Sequence, residues 1–401
     1  MAGSGGPLRA GRHPPARRCR VSTTASPALD VDGLLANPTT QIVVCCGAGG
    51  VGKTTTSAAL AVRAADAGRT VVVLTIDPAR RLAQALGLTT LDNVPRVVKG
   101  VGADSGGRLW AMQLDMKRTF DEIVEAHSTP QRARQIYANP FYQSLSSSFA
   151  GTQEYMAMEK LGQLRARGEW DLIVVDTPPS RSALDFLDAP QRMARFLDGR
   201  MIRLLAAPAK AGGRAYLKVV GAGFALFARV LTRILGTQVL ADVSAFVGAL
   251  DSMFGGFRER AEATYEMLRR PGTAFIVVTA PESDALREAS FFLDRLAADQ
   301  MPLAGVIVNR VHGSAVPELS GQRAETAAEA LEEIGGQELT ASVLRIHADL
   351  MFLGRREQRL TARLRKAHPG VAMREIPALP GEVHDLAALR TVGAAMAGDP
   401  D

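Results

Sequence analysis

Gln41–Thr55 reads QIVVCCGAGGVGKTT: a short apolar, β-prone run, then glycines, then the opening of a helix-forming stretch from Lys53 to Ala67. Gly47 through Thr54 fits the pattern G-x-x-x-x-G-K-[ST], and each residue type answers a chemical need. Gly47, Gly49, Gly50 and Gly52 let the backbone take positive φ and bring N–H groups close to phosphate oxygens. A helix starting at Lys53 adds free N–H groups and the positive end of its dipole. Lys53 is placed to set its ammonium on the β- and γ-phosphates and Thr54 to offer a hydroxyl to Mg2+, with Val51 and Thr55 completing the cradle. The expected ligand is ATP with Mg2+. The same residues also fit G-x-G-x-x-G, as Gly47, Gly49 and Gly52, and Asp77 follows where a dinucleotide-binding oxidoreductase holds its ribose. Lys53-Thr54 decides against that rival, because a helix entrance packed on a pyrophosphate needs no lysine there.

Outward from this loop, Gly68 closes the helix and Thr70–Ile76 forms a second apolar, β-branched run. Further strands are expected at Leu109–Leu114, Leu172–Asp176, Ala274–Thr279, Val306–Asn309 and Met373–Ile376, with helical stretches such as Ala285–Ala298 and Thr326–Ile334 between them. Such alternation implies an α/β fold with a doubly wound, mostly parallel sheet. It is broken once. Residues 190–270 carry no strand signal, and Leu217, Val220, Phe224, Phe227 and Leu231 recur at helical spacing. The expectation is an all-helical insertion at 190–270 on a core formed by 39–189 and 271–401.

Two carboxylates end predicted strands beside the loop. Asp176 closes Leu172-Ile173-Val174-Val175, and an acid at the end of a buried strand is costly unless it binds something. Next to a phosphate loop its expected task is to hold Mg2+ through water, with a helix N-cap as the plain alternative. Thr177-Pro178-Pro179-Ser180 then makes a rigid turn, a suitable place for a switch. Asp77 precedes Pro78 and caps the next helix; at the same sheet edge it is also placed to orient an attacking water.

Composition bounds the rest. The 401 residues are 47% hydrophobic and only 5% aromatic, so the core is mainly Ala, Val and Leu. The cysteines, Cys19, Cys45 and Cys46, form no disulfide framework and no C-x-x-C site, which fits a reducing compartment. No apolar run has the length of a membrane span, and the expected location is cytoplasmic. The net charge of +6 is uneven: residues 190–236 hold nine Lys or Arg and one Asp. Three partners compete for this basic, apolar-striped segment. An anionic membrane at the inner face and an apolar cargo lead; nucleic acid ranks lowest for want of interleaved aromatics, and a plain packed helix with solvated Arg is the structural alternative. Residues 1–38, rich in Gly, Pro, Ala and Arg without apolar periodicity, read as a disordered tail.

Taken together, Gly49-Gly50-Val51-Gly52-Lys53-Thr54-Thr55, Asp77-Pro78-Ala79 and Asp176-Thr177-Pro178-Pro179 resemble the arsenite-pump and tail-anchored-protein-targeting ATPases, over roughly Gln41 to Val392. The resemblance implies a dimeric ATPase that couples nucleotide state to its helical subdomain. It implies that Asp77 is the water-activating switch I acid and Asp176 the switch II acid. Asn309 then matches the adenine-reading asparagine, and Pro377 opens the adenine loop that runs to Val383. From the residues alone, Asn309 reads more simply as a polar strand terminus. Three departures stand out. Ala48 replaces a second loop lysine that crosses to the partner's nucleotide; Ser180-Arg181-Ser182-Ala183 replaces the usual switch II continuation; the zinc-binding C-x-x-C and the arsenite cysteines are missing. The chain looks most like a less characterised bacterial branch, in which two such ATPases occur as unequal partners. A missing trans lysine points to a heterodimer with a lysine-bearing paralogue, with self-pairing and a scarcely hydrolysing nucleotide-binding scaffold as alternatives.

Overall fold

The structure, a computed structural model, describes residues 27–77, 79–139, 142–143, 152–178 and 259–398. Seven strands run parallel: β1 (Ile42–Cys46), β2 (Thr70–Thr75), β4 (Arg108–Gln113), β5 (Leu172–Asp176), β6 (Thr273–Thr279), β7 (Leu303–Val311) and β8 (Met373–Pro377). A short edge strand, β3 (Arg96–Val98), pairs antiparallel with β4. The order across the sheet is β3-β4-β2-β5-β1-β6-β7-β8. The doubly wound, mostly parallel sheet expected from the alternation is therefore present, with β3 as an addition that three residues were too few to announce.

Strand pleating divides the core into two layers. Ile42, Val44 and Cys46 of β1 face one side, with Val72, Leu74, Ile173 and Val175. Val43 and Cys45 face the other, with Val71, Val73, Leu172 and Val174. On the first side lie α4 (Met116–His127), α6 (Thr152–Arg167) and α7 (Ser283–Ala298). On the second lie α1 (Val31–Ala36), α2 (Lys53–Asp66), α3 (Arg81–Ala85) and α10 (Leu386–Ala397). Cys45 and Cys46 are free, buried and on opposite faces, so they cannot pair; burial pushes both thiols up to about 12. Further helices among the described residues are α5 (Pro130–Tyr137), α8 (Gly321–Ile334) and the 30-residue α9 (Glu338–Ala367).

Of the expected helical insertion at 190–270, residues 190–258 lie outside the described residues, and residues 259–269 are helical. The expected disordered tail is corrected at its C-terminal end. Residues 27–38 are ordered: Ala28 bridges to Met373 of β8, and Asp30 caps α1 by accepting from the Gly33 N–H at 2.8 Å. Leu29, Val31 and Leu35 are buried, and Asp32 holds Arg63 of α2 through two hydrogen bonds of 2.6 and 2.7 Å. Three apolar residues in a short, Gly-containing stretch carry no legible period, which is why composition misled here. Among the described residues, no helix is long and apolar enough to cross a membrane.

The docking of this segment is testable. Leu35→Ala should lower the stability of the nucleotide-free protein by about 2–3 kcal/mol, the cost of a buried large-to-small change. Denaturant unfolding measures it, and an unchanged midpoint would mean that α1 does not sit on α2 in solution.

Candidate nucleotide site

Where β1 ends, the chain turns into α2 through Gly47–Gly52. Gly47 has φ 151, and a Cβ there would lie 2.0 Å from the Val278 carbonyl oxygen of β6. Gly52, the N-cap of α2, has φ 96, and a Cβ there would meet Asn309 Nδ2 at 2.2 Å. Gly50 also has positive φ, 76, but open space around it; Gly49 is not in the positive-φ region. So two of the four glycines are fixed by neighbouring strands as well as by dihedral angle. Val51 is buried behind the loop.

Lys53 folds back on the loop, its Nζ donating to the Ala48 carbonyl at 2.7 Å. It is only 5% exposed, and burial pulls its pKa below the ordinary value while the carboxylates of Asp176 and Asp77 oppose that pull. Ala48 is itself buried in the apolar layer beside Val51. One residue on, the Thr54 hydroxyl donates to Asp176 Oδ2 at 2.8 Å. The same oxygen accepts from the Thr75 hydroxyl of β2, also at 2.8 Å. The register explains this convergence: β5 lies between β1 and β2, with Cys45 and Thr75 both aligned with Asp176. Asp176 is fully buried, its other oxygen Oδ1 has no hydrogen-bond partner, and burial raises its pKa to about 6.

That orphaned oxygen is the observation that bears on a metal. A buried carboxylate with one free oxygen beside a hydroxyl is a hard, oxygen-only donor set of the kind Mg2+ takes, usually together with waters and phosphates. Thr54 and Asp176 are the residues that fit it.

Asp77 lies in the loop after β2. Its Oδ1 accepts from the Ala79 N–H at 3.0 Å, and its own N–H donates to the Thr75 hydroxyl at 3.2 Å. Gly50, Gly52, Lys53, Thr54, Thr55, Asp77, Asn309 and Pro377 all line one cleft of about 1130 Å³. This is ample for a nucleoside triphosphate. Asp176, Gly47 and Val51 are not among the lining residues; Asp176 reaches the cleft through its bond to Thr54. Asn309 is held at both ends by backbone: Nδ2 donates to the Val51 carbonyl at 3.0 Å, and Oδ1 accepts from the Arg310 N–H at 3.0 Å.

Sequence reading missed three neighbours. Arg310 is a non-glycine residue at φ 60, and its guanidinium donates to the Gly50 carbonyl. His312 lines the cleft and is clamped by Glu357 of α9, which accepts from its backbone N–H at 2.7 Å and faces its Nδ1 at 2.7 Å. A carboxylate only accepts, so Nδ1 carries the proton. No local pattern joins residues 310, 312 and 357. They meet because α9 returns over the end of β7.

A parallel sheet with a Gly-rich loop, a buried lysine, and a strand-end carboxylate bonded to the following threonine defines a P-loop ATPase. Comparison with known proteins carries this to a family. Residues 40–337 match the family model of the anion-transporting ATPases, and the chain belongs to that family. It is 25% identical over 283 residues to an "ATPase ASNA1 homolog" of Babesia bovis, covering 70% of this chain and 69% of that one. It is 32% identical over 155 residues to the "ATPase GET3" of Malassezia globosa, covering 39% and 44% of the two chains. With the "ATPase get3" of Schizosaccharomyces pombe it shares 26% identity over 286 residues, covering 70% and 76%. The chain is thus an ATPase of the same family as these proteins.

Two measurements probe the site without ligand. Gly50→Ala should cost about 1 kcal/mol of stability, the penalty for a left-handed L-residue with room for its Cβ. Gly47→Ala should cost at least twice as much, because β6 must move to admit the methyl; equal thermal shifts would contradict the described loop. Asp176→Asn probes the buried charge. The folded pKa of Asp176 is raised above its ordinary value, so ionising it costs stability progressively from about pH 4 to about pH 6 and fully above that. At pH 8 the asparagine variant should therefore be more stable than wild type in the absence of nucleotide, by about 2 kcal/mol, and less so at pH 4. A variant destabilised at both pH values would refute the reading.

Proposed function

We propose that the chain is a dimeric switch ATPase that couples the nucleotide in this cleft to a client-binding segment within residues 190–270. The observation that carries the reading is the shared carboxylate oxygen of Asp176, bonded to both Thr54 and Thr75, with Lys53 and Asp77 both acting on it electrostatically. This joins the phosphate loop to the ends of β2 and β5, from which both switch segments depart. A change at the γ-phosphate then reaches Thr177 and the chain that leads to the insertion.

In this reading the loop backbone and Lys53 bind the phosphates, and Lys53 exchanges the Ala48 carbonyl for phosphate oxygens. Asp77 positions the attacking water. Asn309 and the Pro377–Val383 loop enclose the base. Thr54 and Asp176 would hold Mg2+, which would supply charge neutralisation on the phosphate oxygens. Ala48 leaves the dimer without a lysine reaching across, and stabilisation of transferring phosphoryl groups depends on such charge. We therefore propose pairing with a lysine-bearing paralogue, which supplies the missing cation to this chain's intact Lys53, Asp77 and Asp176. An apolar cargo is the favoured client, in a cytoplasmic location.

ATP turnover decides between this and a scarcely hydrolysing scaffold. The mixture with the paralogue should turn over at least about tenfold faster than this chain alone, given what one positioned cation contributes to phosphoryl transfer. Asp77→Asn should abolish that gain while leaving nucleotide binding in place. Equal rates for the chain alone and the mixture would overturn the heterodimer. A mixture indifferent to Asp77→Asn would overturn hydrolysis at this site. Vesicle co-sedimentation separates cargo from membrane: binding that rises with anionic lipid content would favour the membrane.

A further inference from the structure

His312 lines the nucleotide cleft, and α9 holds it at three points. Glu357 Oε2 accepts from its backbone N–H and Glu357 Oε1 from its Nδ1, both at 2.7 Å. Glu357 itself is only 5% exposed. One turn earlier on the helix, a Cβ on Gly354 would lie 2.8 Å from the His312 carbonyl oxygen, so the helix backbone also sits close against residue 312. A buried acid is costly, and spending one on a half-exposed ring makes sense where the direction of that ring matters. His384, the other histidine of the cleft, is not built in this way: its Nδ1 stands 3.9 Å from Glu382, and both side chains are exposed.

With Nδ1 donating to Glu357, Nε2 of the neutral ring is a lone-pair acceptor. It has no hydrogen-bond partner among the described residues. Its place in the cleft limits what it can meet. Val311 pairs with Pro377, and the Ala378 N–H donates to the Val311 carbonyl at 2.9 Å. His312 therefore stands beside the loop expected to enclose the base, whereas Lys53 and Thr54 mark the phosphate end. Asn309, three residues earlier, already spends its amide on backbone groups at both ends. His312 has an atom to spare. An acceptor takes a donor, and a nucleoside offers two kinds: the exocyclic amino group of adenine and the ribose hydroxyls. Phosphate oxygens only accept and do not match it.

We propose that His312 is a nucleoside-binding residue, its Nε2 accepting a hydrogen bond from an amino or hydroxyl group of the bound nucleotide, and that Glu357 is the positioning residue that fixes the ring. This role rests on the reading of the cleft as the nucleotide site. Equilibrium binding of ATP and its analogues to the full chain tests it. His312→Asn keeps a donor where Nδ1 stands and removes Nε2. Its thermal stability without nucleotide should stay near wild type, while ATP binds about threefold to tenfold more weakly, the worth of one hydrogen bond. Inosine triphosphate lacks the amino group, and 2′-deoxy-ATP and 3′-deoxy-ATP each lack one hydroxyl. One of these analogues should bind wild type and His312→Asn equally, and it identifies the donor. In Glu357→Gln the single amide oxygen takes the His312 N–H and the NH2 faces Nδ1, which moves the ring proton to Nε2 and removes the acceptor. ATP binding should weaken there too, and the double variant should lose no more than the larger single loss. Undiminished ATP binding by His312→Asn, an equal loss for ATP and all three analogues, or additive losses in the double variant would overturn the proposal. Lys53→Ala separates it from the reading beneath: ATP binding lost there but untouched by His312→Asn overturns this role alone, whereas ATP binding indifferent to Lys53→Ala overturns the site as well.

Discussion

Asp176 is the constraint on which the rest of the site depends. One oxygen of a fully buried carboxylate accepts two hydroxyls, from Thr54 at the start of α2 and from Thr75 at the end of β2. Three segments from three parts of the chain are thereby fixed to one atom. The arrangement is not a cheap way to hold a fold: burial raises the Asp176 pKa to about 6, and its second oxygen has no partner. Buried polar atoms left unsatisfied are uncommon and costly, and they cluster where function needs them. The site thus carries an electrostatic cost in its nucleotide-free form.

The surrounding protein keeps this atom cluster rigid. Apolar side chains alternate across β1, β2 and β5 into two layers, so those strands are buried on both faces. Gly47 approaches β6 so closely that no side chain fits, which ties the loop to that strand. Gly52 lies against Asn309, whose amide bonds the loop carbonyl of Val51, so β7 grips the loop as well. The loop is therefore clamped from two neighbouring strands. The lysine, by contrast, rests on a carbonyl of its own loop.

Farther out, the structure uses its polar groups unevenly. Glu357 spends its carboxylate on orienting His312 toward the cleft, although it lies on a helix that reaches well beyond it. α9 thus runs from the cleft, at Glu357, to exposed apolar residues at its other end.

The phosphate loop, the strand-end acids and the parallel sheet were legible in the sequence because each is written locally. Glycine spacing, an apolar run closed by an acid, and strand–helix alternation all reflect backbone sterics and burial that neighbouring residues decide. The bond from Thr75 to Asp176, the Arg310 and His312 contacts and the clamp on Asn309 were not legible. They depend on β5 lying between β1 and β2, and on α9 folding back across β7, which no short window encodes. The ordered segment at 27–38 was misread for the same reason: its few apolar residues gain meaning only when α2 and β8 are there to receive them. Sequence determined what chemistry the loop and its acids hold; the tertiary structure alone decided which of those atoms meet, because contact between distant segments is a property of packing and not of spacing.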